Sequence, residues 1–475
     1  MAQSNIARFL MVMATMTERI SNLVVPLALE ATAMRTAETA GLVARDRSGA
    51  VSALIGASLR CGDVDSTNGN STPLTLAMPG FRTSSTATRT TTTRTTTTER
   101  GLSADRYEHH HADFSFEELV QAYLDCRKSK RNSASALAFE QSLERNLCRL
   151  NDELTDGSYR PGRSICFVIT RPKPREVWAA DFRDRIVHHL LYNRVAPRFY
   201  ASFIADSCAC IPGRGTLYGA LRLEAKIRSI TQNWSKPAHY LKLDLANFFV
   251  SIDKRIVCDL LAKRITEPWW IELAEQILFH DPRADFELRG AQELLQRVPK
   301  HKRLTSQPAT HGLPIGNLSS QFFANVLLDA LDQHIKHDLR CKHYIRYVDD
   351  MVLLHESPQW LNAANGDIEA WLPKHLGLRL NPTKTILQPV SRGVDFVGQV
   401  IKPWHRVTRK RTVNEAMRRV RGIGAADLHQ TANSYFGLLR QAKSHHQRTR
   451  LSNVLRYRGH VISGNLTKTY RRKAI

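Results

Sequence analysis

The chain has 475 residues and contains 68 Lys and Arg against 44 Asp and Glu, a formal net charge of +24. This length can bury a sizeable core and hold two or three domains. The positive charge favours a polyanionic partner, because neutralising phosphates releases counterions, but charge alone fits ribosomal, chromatin or membrane-surface proteins equally well. No apolar run reaches the ~20 residues of a membrane span, and the 8 cysteines are scattered. We expect a cytoplasmic protein with free thiols and no membrane partner.

Residues 1–112 carry the least interpretable sequence. Their short apolar runs are interrupted by charges, and residues 83–100 form a Thr/Arg tract. Low-complexity sequence of this kind buries too little apolar surface to offset its chain entropy. We predict a largely disordered N-terminal extension with weak helices, whose role the sequence does not indicate.

Regular structure is predicted to begin near Asp113. Ser115 and Glu118 have the spacing of a capping box, which satisfies the first backbone amides of a helix. A leucine stripe over residues 143–154 predicts a second helix. These two helices open the first folded part of the chain.

A pair of strands is predicted over residues 165–179, followed by a helix over Phe182–Tyr200. Lys173 and Arg175 lie in the proline-containing connection between the strands. Two cations in such a place could bind a phosphate group, or they could simply belong to a basic turn shaped by prolines.

The segment at residues 344–354 reads YIRYVDDMVLL and places two acids, Asp349 and Asp350, between two apolar runs. This pattern predicts a β-hairpin with the acids at its turn. Adjacent carboxylates repel each other, so a cation is expected nearby, most often a divalent metal. Taken alone, the pair would fit an ordinary Asp-rich turn.

A third acid lies upstream, where leucines at 241, 243 and 245 alternate with Lys242 and Asp244. The alternation predicts a strand that presents Asp244 on its polar face. Two carboxylates from a hairpin turn and one from a neighbouring strand are what two-metal phosphoryl transfer requires. We therefore predict that Asp244, Asp349 and Asp350 are catalytic and bind two Mg²⁺, with Mn²⁺ as a substitute ion and with Asp350 partly an electrostatic support.

Three ordered segments, at residues 242–249, 312–321 and 347–350, resemble motifs A, B and C of reverse transcriptases. They are most similar to the enzymes of diversity-generating retroelements, because motif B contains Ile-Gly-x-x-x-Ser-Gln where most reverse transcriptases have Gln-Gly-x-x-x-Ser-Pro. The segments at 182–189 and 395–398 are also similar to that sub-family.

This resemblance implies an α+β right-hand polymerase fold with fingers, a palm containing an antiparallel sheet, and a small helical thumb. It places fingers and palm at residues 113–400 and a basic helical thumb at residues 401–475. The implied activity is RNA-directed DNA polymerisation, a nucleotidyltransferase reaction that uses an RNA template, a DNA or RNA primer and deoxynucleoside triphosphates. In the sub-family, a bacterial or phage-encoded enzyme copies a template-repeat RNA with errors at adenine, and a small basic accessory protein assists.

The same resemblance assigns roles to further residues. Nucleotide-binding positions are implied at Lys173, Arg175, Phe249, Ile315, Gly316, Gln321 and Lys384, and a primer grip at Phe396 and Gly398. Phe249 would be the steric gate that excludes a 2′-hydroxyl, although a phenylalanine here could equally pack in the core. Lys384 would be the general acid for departing pyrophosphate, or else an ordinary surface lysine.

The remaining segments are less informative. Basic residues recur from Arg406 to Arg421 within a pattern that predicts a helix. They could contact the phosphates of a duplex, or they could simply face solvent. Residues 281–311 form a polar, basic insertion of unreadable function. Too little chain follows the primer grip for an RNase H domain, so we expect priming, strand removal and integration to need other factors.

Two alternative functions remain open at this point. The first is a reverse transcriptase of the same chemistry that serves antiviral defence or has been domesticated, and a neighbouring template and variable repeat pair would argue against it. The second is a non-catalytic RNA-binding scaffold. Retained function after Asp349→Asn would favour the scaffold.

Overall fold

The computed structural model describes residues 111–128, 133–171 and 173–470, so the predicted N-terminal extension lies outside the described residues except for its last two positions. The helices are α1 (Phe116–Lys128), α2 (Ala134–Glu140), α3 (Leu143–Thr155), α4 (Phe182–Tyr200), α5 (Thr216–Ile230), α6 (Phe248–Ser251), α7 (Lys254–Ala262), α8 (Pro268–Phe279), α9 (Glu293–Gln296), α10 (Leu318–Gln333), α11 (Pro358–Leu376), α12 (Lys410–Gly422), α13 (Ala425–Leu439) and α14 (His445–Tyr457). The strands are β1 (Ser164–Ile169), β2 (Arg175–Ala179), β3 (His239–Asp244), β4 (Phe286–Arg289), β5 (His343–Tyr347), β6 (Asp350–His355), β7 (Ile386–Pro389), β8 (Val394–Phe396), β9 (Gln399–Lys402), β10 (His405–Thr408), β11 (Val461–Ile462) and β12 (Thr469–Tyr470). This mixture of helices and sheets confirms the predicted α+β class.

The N-terminal helices form as their sequence signals predict. The Ser115 hydroxyl accepts from the backbone amide of Glu118 at 3.2 Å, and the Glu118 carboxylate accepts from the amide of Ser115 at 2.9 Å. This reciprocal pair is the predicted capping box. The helix over Phe182–Tyr200 has the predicted bounds, whereas the short helix α2 was not predicted.

The first sheet has the strand order β2-β1-β4 and contains the predicted antiparallel pair β1 and β2. Its third strand comes from the insertion at residues 281–311 and pairs parallel to β1. The buried carboxylate of Glu176 on β2 accepts from the indole of Trp178 at 3.1 Å and from the amide of Leu304 at 2.9 Å. The insertion is therefore an integral part of this sheet.

The central sheet is antiparallel throughout, with the order β5-β6-β3-β7. Helix α5 contacts β5 and β6, and α11 contacts β3, β6 and β7. The core between α5 and the sheet contains fully buried apolar side chains, among them Leu223, Ile227, Ile345 and Val352. Strands β3 and β6 and the turn before β6 carry the three acids.

A third sheet, β10-β9-β8, leads into the C-terminal helices. Residues 399–402 form β9 and residues 405–408 form β10, and the first helix after them begins at Lys410. Helices α12, α13 and α14 pack around a common core that includes Val420, Phe436 and Leu451, all with no exposed surface.

None of the seven cysteines among the described residues forms a disulfide; they lie at positions 126, 148, 166, 208, 210, 258 and 341. Within the same part of the chain, no helix combines the length and apolarity needed to cross a membrane.

A fully buried ion pair joins β5 to α10. Nε and Nη2 of Arg346 donate to the two carboxylate oxygens of Asp332 at 2.8 and 2.7 Å, and both side chains have no exposed surface. The Tyr344 hydroxyl also donates to Asp332, at 2.7 Å. Nη1 of Arg346 donates to the carbonyl of Val348 at 3.2 Å, so the pair also supports the turn after β5.

We predict that Arg346→Met lowers the free energy of unfolding by about 3–5 kcal/mol, because it leaves the Asp332 carboxylate buried without its partner. Urea denaturation would measure the loss. Arg418→Met is the matched control, since Arg418 makes an exposed pair with Glu415, and such pairs contribute about 0–1 kcal/mol. Equal losses in the two variants would contradict the importance of the buried pair.

Candidate active site

The acid pair lies at the tight turn between β5 and β6. Tyr347 pairs with Asp350 across the hairpin, which leaves Val348 and Asp349 as the two turn residues. Val348 has a φ of +55°, a conformation that β-branched residues rarely adopt and that costs about 1–3 kcal/mol. The predicted hairpin is confirmed, and its turn holds Asp349 through a strained backbone.

The third acid, Asp244, ends β3 directly opposite Asp350 in the antiparallel register of β3 and β6. Its backbone carbonyl accepts from the amide of Asn381 at 2.8 Å. Its carboxylate accepts from Nζ of Lys384 at 2.6 Å. Strand register therefore brings Asp244 to the adjacent pair Asp349 and Asp350, although 349 − 244 = 105 residues separate them in the chain.

Burial and mutual repulsion make this site unfavourable for ionised acids. Burial, followed by the charge of Asp244, raises the pKa of Asp349, and Lys384 and Arg175 oppose the shift. Burial also raises the pKa of Asp350 to about 6, despite the attraction of Lys242. The cluster is thus short of positive charge.

Lysines supply part of the missing charge. Nζ of Lys242 lies 3.0 Å from both carboxylate oxygens of Asp350, and Lys384 pairs with Asp244. The two differ in exposure, with side chains that are 16% and 49% exposed respectively. Lys384 can therefore leave its acid for solvent or substrate more easily than Lys242 can.

Among the described residues, no group of three or more His, Cys, Asp or Glu is arranged to hold a metal ion. The chemistry of the donor set nevertheless suits Mg²⁺, which prefers carboxylate oxygens, and the raised pKa of Asp349 signals uncompensated negative charge. A cation at Asp244 would take the place of the Lys384 ammonium. The three acids thus fit the predicted ions in ligand type and charge.

The two phenylalanines after Asp244, Phe248 and Phe249, differ in burial. Phe248 is buried with 3% exposure, while Phe249 is half-buried and lies edge-on to it, with ring centroids 5.2 Å apart. The carbonyl of Phe249 accepts from the amide of Leu313 at 2.8 Å. Phe248 fills the core, which leaves Phe249 available to border a nucleotide.

The motif B loop packs against β2. The Ile315 carbonyl accepts from the amide of Trp178 at 2.8 Å. Gly316 has a φ of +133°, and a Cβ there would lie 2.9 Å from Val177 and 3.0 Å from the Trp178 carbonyl. The Asn317 amide oxygen accepts from the amide of Ala180 at 2.9 Å. The close approach that requires glycine is therefore made to β2.

Two predicted nucleotide-binding residues project into solvent. Lys173 is exposed in the connection between β1 and β2, and Gln321 is exposed in the first turn of α10. Arg175, also exposed, lies near enough to lower the pKa of Asp349. Of these three residues, Arg175 is the one whose positive charge acts on the Asp349 carboxylate.

The predicted primer grip is the hairpin between β8 and β9. Val397 and Gly398 form its two-residue turn with φ of +44° and +85°, as a type I′ turn requires. Phe396 has no exposed surface and packs against α5 at Gly219. Only the turn, and not the Phe396 ring, is available to a primer.

Sequence reasoning missed several residues of this site. Lys242 shares the polar face of β3 with Asp244, so strand alternation could have identified it. Arg346 is a charged residue on an apolar strand, which signals a buried partner, but nothing local indicates Asp332. Asn317 carries no signal beyond its place in motif B.

Low-similarity structural neighbours come from yeast telomerases. A Candida albicans telomerase bound to a fragment of telomeric RNA has a TM-score of 0.39 and 12% identity, with coverage of 63% of this chain and 54% of that one. An apo Candida tropicalis telomerase has a TM-score of 0.38 and 12% identity, with coverage of 52% and 55%. The chain thus spans about half the length of these proteins, and such TM-scores support no functional conclusion.

Comparison of sequences is more informative. Protein YkfC of Escherichia coli strain K12 is 24% identical over 324 residues, which cover 61% of this chain and 78% of that protein. Residues 171–401 match the family model for reverse transcriptase (RNA-dependent DNA polymerase). The matched segment includes all three acids, the motif B loop and the turn between β8 and β9. This segment of the chain is therefore similar to the reverse transcriptase domain.

Proposed function

We propose that the protein copies an RNA template into cDNA by adding deoxynucleotides to the 3′ end of a primer. The observation that carries the proposal is the convergence of Asp244, Asp349 and Asp350 at one end of β3 and β6, inside the segment that matches the family. In the reaction, the primer 3′-hydroxyl loses its proton and attacks the α-phosphorus, and pyrophosphate leaves.

The acidic and the basic residues of the site would bind different groups. Asp244 and Asp349 would hold Mg²⁺ or Mn²⁺, with Asp350 acting more through its charge. When bound, two such ions activate the attacking hydroxyl and neutralise the triphosphate. Arg175 would bind the triphosphate oxygens, with Lys173 beside it, because charge-assisted bonds both orient and neutralise them.

Two further side chains complete the nucleotide site. Lys384, released from Asp244, would donate a proton to the departing pyrophosphate. The half-buried ring of Phe249 would exclude a ribose 2′-hydroxyl.

Other residues would contact the primer and the duplex. Gly398 would allow the primer backbone to approach the β8–β9 turn. Exposed basic residues would contact duplex phosphates, namely Lys410, Arg411, Arg419 and Arg421.

We further propose the biological role of a diversity-generating retroelement enzyme in a bacterial cytoplasm, with errors at template adenine and a small basic accessory protein. Support comes from Ile315, which has no side-chain hydrogen-bonding group to orient the nucleotide, and from the similarity to a bacterial protein. Faithful copying would instead favour a defence or domesticated enzyme.

Asp349→Asn is expected to lower primer extension on an RNA template by roughly 10³-fold, because removing one electrostatic stabiliser of a transition state typically costs 10²–10³. The assay uses Mg²⁺, and Mn²⁺ in parallel, with products sequenced. Asp367→Asn, an exposed acid on α11, is the control and should retain activity. Wild-type protein that makes no cDNA with either ion would contradict the proposal.

Asp349→Asn should raise the free energy of unfolding in EDTA at pH 7 by about 1 kcal/mol, which corresponds to ~2–4 °C in melting temperature. The pKa of Asp349 is raised on folding, so the native state binds this proton more tightly than the unfolded state does. Wild-type stability therefore falls as pH rises above the ordinary carboxyl value of 3.8, and this contribution is absent from the variant. Mg²⁺ should raise the melting temperature of wild type more than that of Asp349→Asn. An equal response would argue against ion binding at Asp349.

Ile315→Gln is expected to reduce substitutions opposite template adenine by ~2–10-fold, the effect of one added hydrogen bond to the nucleotide. The backbone contact to Trp178 is unaffected, because it uses the Ile315 carbonyl. Sequencing of cDNA measures the error spectrum, with Ile315→Leu as the apolar control. An unchanged spectrum in Ile315→Gln would show that this position does not set fidelity.

A further inference from the structure

Lys242 occupies an unusual position in the active site. It is two residues before Asp244 on β3, and its ammonium donates to Oδ2 of Asp350 at 3.0 Å. Oδ1 of Asp350 lies at the same distance from the ammonium but is buried and accepts no hydrogen bond from the described residues. An ammonium has three hydrogens to donate and no acceptor. Its side chain is 16% exposed, so water cannot readily replace these contacts.

The third contact of Lys242 leads away from the acids. Nζ donates to the backbone carbonyl of Asp395 on β8 at 2.7 Å. The Asp395 carboxylate accepts from Nε of Arg409 at 2.8 Å, and the Arg409 amide donates to the carbonyl of Gly398 at 3.0 Å. Helix α12 begins at the next residue.

These bonds form a continuous path from Asp350 to the β8–β9 hairpin and the start of the C-terminal helices. A lysine that served only to neutralise an acid would not need a carbonyl of another sheet. A lysine that served only to join β3 to β8 would not need to pair with the Asp350 carboxylate. Lys242 makes both contacts.

We propose that Lys242 is a positioning residue that fixes Asp350 relative to the primer-binding hairpin and, by pairing with the charge of that carboxylate, favours cation binding at Asp244 and Asp349. The assignment of the hairpin to the primer rests on the proposed function. The contrast with Lys384 supports the inference, because that lysine is three times as exposed and contacts its acid from a short turn at Pro382–Lys384.

A cation-binding experiment tests the pair without requiring turnover. Tb³⁺ would be titrated into the full-length protein without nucleic acid, followed by its luminescence. Lys242→Met frees the Asp350 carboxylate to bind the ion and is expected to tighten Tb³⁺ binding by about 10-fold, through one further carboxylate ligand and one fewer positive charge. In an Asp350→Asn background the same substitution frees no carboxylate, so it should tighten binding by a clearly smaller factor.

The matched control is Lys226→Met. Lys226 is 12% exposed and lies 2.7 Å from Asp206, so it forms a similarly buried Lys–Asp pair on α5. Its loss should lower the melting temperature without altering Tb³⁺ binding. Lys242→Arg, which retains the charge, should bind Tb³⁺ as wild type does. Unchanged binding in Lys242→Met, or equal tightening with and without Asp350, would overturn the inference.

Polymerisation gives the second readout. Lys242→Met should lower kcat by ~10-fold or more, with the KM for deoxynucleotides within about twofold, since Lys242 contacts the acid and the hairpin and not the triphosphate site. An active wild type with an unaffected Lys242→Met would contradict the inference alone. An inactive wild type would contradict the proposed function, while the Tb³⁺ titrations would still report the coupling of Lys242 with Asp350.

Discussion

The active site depends first on the buried pair of Arg346 and Asp332. A guanidinium with no exposed surface is tolerable only because its N–H groups find acceptors. Nε and Nη2 donate to both oxygens of Asp332, and Nη1 donates to the carbonyl of Val348. The strained turn needs such a support, since a β-branched residue at positive φ persists only where its surroundings determine it. Helix α10 thereby fixes the position of the acids.

The acids in turn are held against their own repulsion by cations from three directions. Lys242 comes from the same strand as Asp244, Lys384 from the turn before β7, and Arg175 from the first sheet. Because these side chains differ in exposure, we expect them to respond differently to substrate. An exposed lysine can leave its acid for another partner at little cost in free energy. The site is therefore built with one fixed positive charge and others that can be displaced.

Sequence reasoning identified the features that depend on local pattern. Alternation located β3 and placed Asp244 on its polar face, and two acids between apolar runs located the hairpin. Contacts between distant segments were missed, because no periodicity relates Arg346 to Asp332 or β4 to β1. The short strands β9 and β10 were missed for the same reason, since β9 pairs with β8 and β10 pairs with β9.

The insertion at residues 281–311 has a consequence for how this part of the protein could change over evolution. A surface loop can be lengthened, shortened or exchanged without altering its neighbours. This segment contributes β4 to the first sheet and the Leu304 amide to the buried carboxylate of Glu176. Deleting it would remove the Leu304 donor and leave the Glu176 carboxylate with its bond from Trp178. A change in the insertion is therefore expected to be accompanied by a change at Glu176.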